Sequence, residues 1–132
     1  MGAWGAGVFE NDDAMDFVFE ISEAEGWKLV RRVLRDCLEE GFTDASQSAM
    51  ALAAAEAVAA AMGHPVKDLP TEVASWVAQH REDLPAGLED RARDAVEKIM
   101  DEEESELRQL WADEDDAAWK AALDDLINRL SA

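Results

Sequence analysis

Three acidic residues near the start of the chain are spaced so that they could act together. Asp12, Asp16 and Glu20 stand four residues apart, which on a helix places them on one face. Three carboxylates in this arrangement could hold Mg²⁺ or Ca²⁺ and serve a metal-dependent hydrolase with His80 nearby. Acidic residues at the start of a helix also cap free amides and meet the positive end of its dipole, without any metal. We therefore predict no bound metal or cofactor and keep the hydrolase as an alternative.

The side chains that most often act as nucleophiles or general bases are scarce. Cys37 is the only cysteine, which excludes an intramolecular disulfide, and its apolar helical surroundings predict a buried thiol. His80 could act as a general base if a carboxylate such as Glu72 oriented it, but a lone histidine one turn after Trp76 is more typical of a half-buried structural residue. The chain has neither a nucleophile-elbow motif nor a glycine-rich phosphate loop. We predict no catalytic residue.

The net charge of the chain indicates which classes of macromolecule it can bind. The chain has 12 basic and 31 acidic residues, a formal net charge of -19, which repels nucleic acid and anionic membranes and attracts basic proteins. A second acidic cluster does not match a calcium-binding loop, because Ala118 and Asp124 replace the glycine and the glutamate that such a loop needs. The cluster consists of Asp113, Glu114, Asp115 and Asp116.

The sequence indicates neither secretion nor insertion into a membrane. Residues 1–10 lack the basic segment that opens a signal peptide. The most apolar run, residues 49–62, is interrupted by Glu56 and is too short to span a bilayer. A single unpaired cysteine also suits a reducing compartment. We expect a cytoplasmic protein that does not bind membranes.

The pattern of apolar residues predicts helices throughout. Several windows repeat apolar residues at intervals of three and four, and no run alternates with the period of two that a strand requires. We predict a compact all-α single domain over residues 1–132, a bundle of about six or seven helices with an irregular glycine and aromatic arm at residues 1–10. The alanine-rich segment 44–62 is expected to form a central helix, because small side chains let neighbouring helices approach closely.

The tryptophans and a cluster of arginines each have a structural interpretation and a functional alternative. The five tryptophans are expected to be core residues first. An apolar small-molecule pocket between helices, lined by Trp76, Trp111 or Trp119, is the alternative. A basic cluster is expected to neutralise carboxylates of the same chain, although it could also contact an acidic partner. This cluster consists of Arg31, Arg32 and Arg35.

The most distinctive motif lies at the N-terminus. The segment MGAWGAGVFENDDA, residues 1–14, places three glycines and two aromatic residues just before a helix cap at Asn11 or Asp12. We interpret it first as a specific tight turn leading into the first helix, and secondly as a surface for a ligand or partner. The candidate residues for such a surface are Trp4, Phe9, Glu10, Asn11, Asp12 and Asp13.

This segment resembles the opening of a bacterial family that is catalogued as a domain of unknown function. The later segment SELRQLW, residues 105–111, is similar to the Ser-Glu-Leu-x-x-Leu-Trp segment of the same family. Trp119, followed by Leu126 and Arg129-Leu130, resembles its C-terminal pattern, so the resemblance covers most of the chain. It implies a small helical bacterial protein, and it supplies no activity, cofactor or catalytic residue.

The sequence leaves the function unknown and favours one class over the others. We expect a non-enzymatic interaction domain whose acidic surface meets a basic protein, for example a nuclease toxin that it neutralises, in the manner of an immunity protein. In that case binding should weaken with salt. The hydrolase and the apolar pocket are the two alternatives.

Overall fold

Helices account for all the regular secondary structure in the part of the chain that can be described. The computed structural model describes residues 7–39, 41–112 and 116–132. Within these ranges there are seven α-helices and no strand, which confirms the all-α prediction. The helices are α1 (Asp12–Ser22), α2 (Lys28–Glu39), α3 (Ala45–Ala61), α4 (Thr71–His80), α5 (Leu88–Ile99), α6 (Glu106–Ala112) and α7 (Ala117–Leu130), with a short 3-10 turn (Arg81–Asp83) after α4.

Helix α3 is the centre of the bundle, as its alanine content predicts. Its residues from Ala51 to Ala61 are all buried, and α1, α2, α4, α5, α6 and α7 all pack against it. A helix that is apolar on every side belongs in the interior, and alanine side chains allow the neighbouring backbones to come close. In the described ranges, no helix combines the length and the apolar character needed to cross a bilayer.

Several helices begin or end at residues that the sequence favours as helix boundaries. Helix α3 is followed by Gly63, with a φ of 93°, and α5 is preceded by Gly87, with a φ of 84°. Only glycine adopts such a positive φ without strain. The acidic stretch 101–104 separates α5 from α6, and Ser105 then accepts a hydrogen bond from the backbone N–H of Arg108 at 3.1 Å. The sequence therefore encodes two helices here rather than one long helix.

One charged side chain lies inside this apolar centre. Glu56 is only 1% exposed, and its two carboxylate oxygens accept hydrogen bonds from the Arg129 guanidinium at 2.7 and 3.0 Å. Arg129 also donates to the carboxylate of Asp125 at 2.7 Å and to the backbone carbonyl of His64 at 3.2 Å. Burial raises the pKa of Glu56, and the bonds to Glu56 raise the pKa of Arg129. This ion pair connects the central helix to α7.

Candidate interaction surface

The described part of the N-terminal motif is a tight turn, as we expected. The backbone N–H of Gly7 donates to the Glu10 carboxylate at 3.0 Å, and the N–H of Glu10 donates back to the Gly7 carbonyl at 3.0 Å. A side chain at Gly7 would place its Cβ 2.6 Å from the Glu10 Oε1, so the Glu10 carboxylate would have to shift from this position. Trp4 lies outside the described residues.

The next residues of the motif fix the start of α1. The side-chain oxygen of Asn11 accepts a hydrogen bond from the N–H of Ala14 at 2.8 Å, and its amide donates to the Val8 carbonyl at 3.1 Å. Asn11 is therefore the helix cap. Asp13 accepts a bond from the Ser46 hydroxyl at 3.2 Å, which ties the start of α1 to the start of α3. Glu10, Asn11 and Asp13 thus have structural roles in the turn and the cap.

Replacing the cap gives a direct test of this assignment. Asn11→Ala should lower the free energy of unfolding by about 1 kcal/mol, because it leaves helix-terminal amides without an acceptor. Chemical denaturation measures the change, and Asn128→Ala is the matched control, because Asn128 is exposed within α7. An equal loss in both variants would contradict the cap.

The outer face of α1 combines exposed carboxylates with exposed apolar side chains. Phe19 is 67% exposed and Met15, one turn earlier, is 37% exposed. Phe19 is the most exposed large apolar residue in the described part of the chain. Asp12, Asp16 and Glu20 are exposed at neighbouring positions of the same helix. We call these five residues the acidic face.

A shallow depression adjoins the acidic face. Its volume is about 390 Å³, and Met15 belongs to both, which makes the two features continuous. The depression therefore brings Phe9 and Glu10 of the N-terminal motif next to the acidic face. Its lining consists of Gly7, Val8, Phe9, Glu10, Met15, Val66, Asp68 and Pro70.

The carboxylates of α1 do not form a metal site in the described structure. Across residues 7–39, 41–112 and 116–132, no three His, Cys, Asp or Glu side chains come together in a way that could hold a metal ion. The described structure therefore does not bring Asp12, Asp16 and Glu20 together as a ligand set. In the second acidic cluster, residues 113–115 lie outside the described residues. Asp116 pairs with Arg108 at 3.2 Å.

His80 belongs to an aromatic cluster that holds α4 against the loop between α1 and α2. Its ring stacks on Trp76, with centroids 4.4 Å apart, and its Nδ1 lies 2.8 Å from the Trp76 carbonyl. Trp76 in turn meets Trp27 edge-on at 4.7 Å. The Trp76 indole donates to the Ala24 carbonyl and the Trp27 indole donates to the His80 carbonyl, each at 2.9 Å. These contacts favour a structural role for His80.

The four tryptophans in the described part of the chain form two ring pairs. Trp76 contacts Trp27, whereas Trp111 of α6 stacks on Trp119 of α7 at 6.2 Å. Trp27, Trp76 and Trp119 are buried, and Trp111 is half-buried. These contacts place Trp76 in a different ring pair from Trp111 and Trp119. The burial of Trp27, Trp76 and Trp119 is that of core residues, and the pocket stays an alternative.

Cys37 is a buried thiol, as its position predicts. It is fully buried in α2, and burial raises the pKa of its thiol, although a hydrogen bond with Thr43 and the charge of Lys98 act in the opposite direction. A thiol held protonated is a weak nucleophile. Cys37 therefore serves packing.

Comparison with known proteins yields a family and no activity. The model of the family described as "Domain of unknown function (DUF4259)" matches residues 2–122. This chain belongs to that family. No curated protein and no solved structure matches this chain. The DUF4259 match includes the N-terminal turn, the acidic face and all helices as far as the first part of α7.

Two of the three clustered arginines make no ion pair in the described part of this DUF4259 chain. Arg31 and Arg32 are exposed and have no ion pair within the described residues, and Arg35 reaches only its neighbour Asp36 at 3.5 Å. For Arg31 and Arg32, neutralisation of carboxylates of the same chain therefore stays a prediction.

The ion pair of Glu56 and Arg129 is the feature that sequence reasoning missed. Glu56 was only an interruption in an alanine-rich run, and its partner is 73 residues further along the chain. The available signal was physical: a carboxylate in the middle of a helix that is otherwise apolar on all sides must find a cation.

Proposed function

We propose that this domain is a non-enzymatic interaction module that binds a cationic protein surface through the acidic face of α1. A single observation carries the proposal: Phe19 and Met15 are exposed on the same helix as three exposed carboxylates. An exposed aromatic side chain surrounded by charge is the arrangement that protein interfaces use as an anchor. The partner that fits has an apolar contact point surrounded by lysine or arginine.

The two parts of the acidic face have different roles in binding. Burial of Phe19 and Met15 supplies contact energy, because both side chains lose contact with water. Carboxylates at the edge of an interface mainly steer the approach of the partner and give specificity. The net charge of -19 extends this attraction over the whole surface. Binding should therefore combine a salt-dependent rate of association with an apolar contribution that salt does not screen.

Several observations favour this function over the alternatives. A metal-dependent hydrolase has no ligand set in the described ranges, and His80 is occupied by its contacts with Trp76. The acidic surface also makes nucleic acid and anionic membranes poor partners. We place the domain in the cytoplasm on the single cysteine and the composition alone. A basic enzyme held inactive by this domain would be a partner of the immunity type.

A pair of charge variants tests the proposal. Asp16→Asn with Glu20→Gln should weaken binding of a labelled peptide of lysine and leucine by about tenfold, since each exposed pair is worth up to about 1 kcal/mol. Fluorescence anisotropy at low and at high salt measures the affinity. Glu82→Gln with Asp83→Asn is the matched control, because both residues are exposed in the 3-10 turn and the change in net charge is the same.

The control separates a specific surface from general attraction. If the variant of α1 loses affinity and the control retains it, the acidic face is the binding surface. If both variants lose affinity equally, the peptide responds to net charge alone and the proposal fails. Native extract passed over both proteins, with bound proteins identified by mass spectrometry, then names the natural partner.

A further inference from the structure

A basic groove lies along α2, on a different helix from the acidic face. It is an open depression of about 750 Å³ between the loop that precedes α2 and the outer side of that helix. We call it the basic groove. It is lined by Ala24, Glu25, Gly26, Trp27, Lys28, Leu29, Arg31, Arg32 and Arg35.

The charge of the groove is opposite to that of the molecule. The segment KLVRRVLR, residues 28–35, contains 4 of the 12 basic residues and no acidic residue. The chain as a whole has a formal charge of -19, so carboxylates were available to neutralise these cations. Arg31 and Arg32 nevertheless have no ion pair within the described residues. Arg35 is paired with Asp36, and Glu25 is the one carboxylate in the groove lining, so the strip keeps a net positive charge. A net cationic strip in so acidic a chain indicates a role outside the molecule.

The cations form one strip because of their spacing. Lys28, Arg31, Arg32 and Arg35 follow the three and four residue intervals that place side chains on one side of a helix. The opposite side of α2 is buried in the core. From position 28 to position 35 the strip is about 10 Å long, since each residue advances the helix by about 1.5 Å. The partly buried Leu29 and the small exposed part of Trp27, 5% of the residue, supply an apolar wall beside it.

We propose that the basic groove binds an acidic peptide segment of another protein, with an apolar side chain of that segment against Trp27 and Leu29. Guanidinium groups bind carboxylates in a planar, two-point geometry. A strip about 10 Å long offers contacts to several carboxylates in sequence, whereas one small anion would reach only part of it. The acidic remainder of the protein repels any anionic partner, and it repels nucleic acid more strongly than a short acidic peptide, because nucleic acid carries a longer and denser run of negative charge.

Peptide binding to paired variants tests the groove. A short labelled peptide of glutamate and leucine should bind the whole chain at low salt, and Arg31→Gln with Arg32→Gln should weaken that binding about tenfold. Both arginines are exposed, so the variant should keep its fold, which circular dichroism checks. Lys67→Gln with Arg91→Gln is the matched control, since these exposed residues lie outside α2 and outside the groove lining and change the net charge equally.

Each outcome decides the inference. Loss of affinity in the α2 variant alone supports the groove, and the variant Asp16→Asn with Glu20→Gln should then bind the acidic peptide at least as well as the original chain. No binding by the original chain overturns the inference, as does an equal loss in the control. Displacement of the bound peptide by single-stranded DNA of equal charge would also overturn the inference. So would self-association of the chain that depends on Arg31 and Arg32 and occurs in place of peptide binding.

Discussion

Arg129→Met should be among the most damaging single substitutions in this protein. It removes the only ionic partner of Glu56 within the described residues and leaves a carboxylate that is 1% exposed in the middle of α3. Breaking a buried ion pair from one side typically costs about 3 to 5 kcal/mol, because the other charge stays desolvated. We expect a loss of this size at pH 8, measured by urea denaturation.

The stability lost in Arg129→Met should depend on pH in a defined direction. Burial raises the pKa of Glu56 above its ordinary value of 4.5, so the folded state binds the proton more tightly than the unfolded state. In such a case the free energy of unfolding falls as pH rises from the ordinary pKa through the raised one. Without Arg129 the carboxyl should take up a proton more readily. The free energy of unfolding of Arg129→Met should therefore be closer to that of the original protein at pH 5 than at pH 8.

Asp125 provides the control for this experiment. It also accepts a bond from Arg129, at 2.7 Å, but its side chain is 61% exposed. Asp125→Asn should cost less than about 1 kcal/mol, because water replaces an exposed ion pair. A comparable loss in the two variants, or a loss from Arg129→Met that does not change with pH, would show that Glu56 does not depend on this pair.

Trp76→Ala should have the second large effect. Trp76 is 4% exposed, contacts both Trp27 and His80 with its ring, and donates a hydrogen bond to the Ala24 carbonyl. Replacing a buried large aromatic residue by alanine typically costs about 3 to 5 kcal/mol, since it removes apolar burial and leaves a cavity. Here the loss should also loosen the loop between α1 and α2, which Trp76 and Trp27 hold from two sides.

Trp76→Phe separates packing from hydrogen bonding. It keeps an aromatic ring and removes the indole N–H, so the expected loss is about 1 to 2 kcal/mol. Hydrogen exchange of the backbone around Ala24 should accelerate in both variants, and more strongly in Trp76→Ala. A loss below about 1 kcal/mol for Trp76→Ala would contradict the role of this cluster as the joint between α4 and the loop.

The local features of the fold could be predicted from the sequence. The cap at Asn11 and the break before Ser105 depend on residues close together in the chain. The central position of α3 follows from its composition, because a helix without a polar side cannot lie at the surface. Such features can be predicted without knowing which helices pack against each other.

The tertiary features could not be predicted in the same way. The side chains of Trp27, Trp76 and Glu56 make hydrogen bonds with residues between 52 and 73 positions away along the chain, and no pattern in a single sequence specifies such pairings. The acidic face is an intermediate case. The spacing of Asp12, Asp16 and Glu20 predicts their shared side of the helix, whereas the exposure of Phe19 between them does not follow from the sequence. Phe19 was not among the candidate site residues for that reason.

The measurement that tests the acidic face most directly compares two phenylalanines. Phe19 on α1 is 67% exposed and Phe42, outside the helices, is 48% exposed, so replacing either with serine leaves the net charge unchanged. With a labelled peptide of lysine and leucine, Phe19→Ser should weaken binding about tenfold, the value of burying part of one aromatic side chain, and Phe42→Ser should not. If the two variants bind alike, the cationic partner is not anchored on α1.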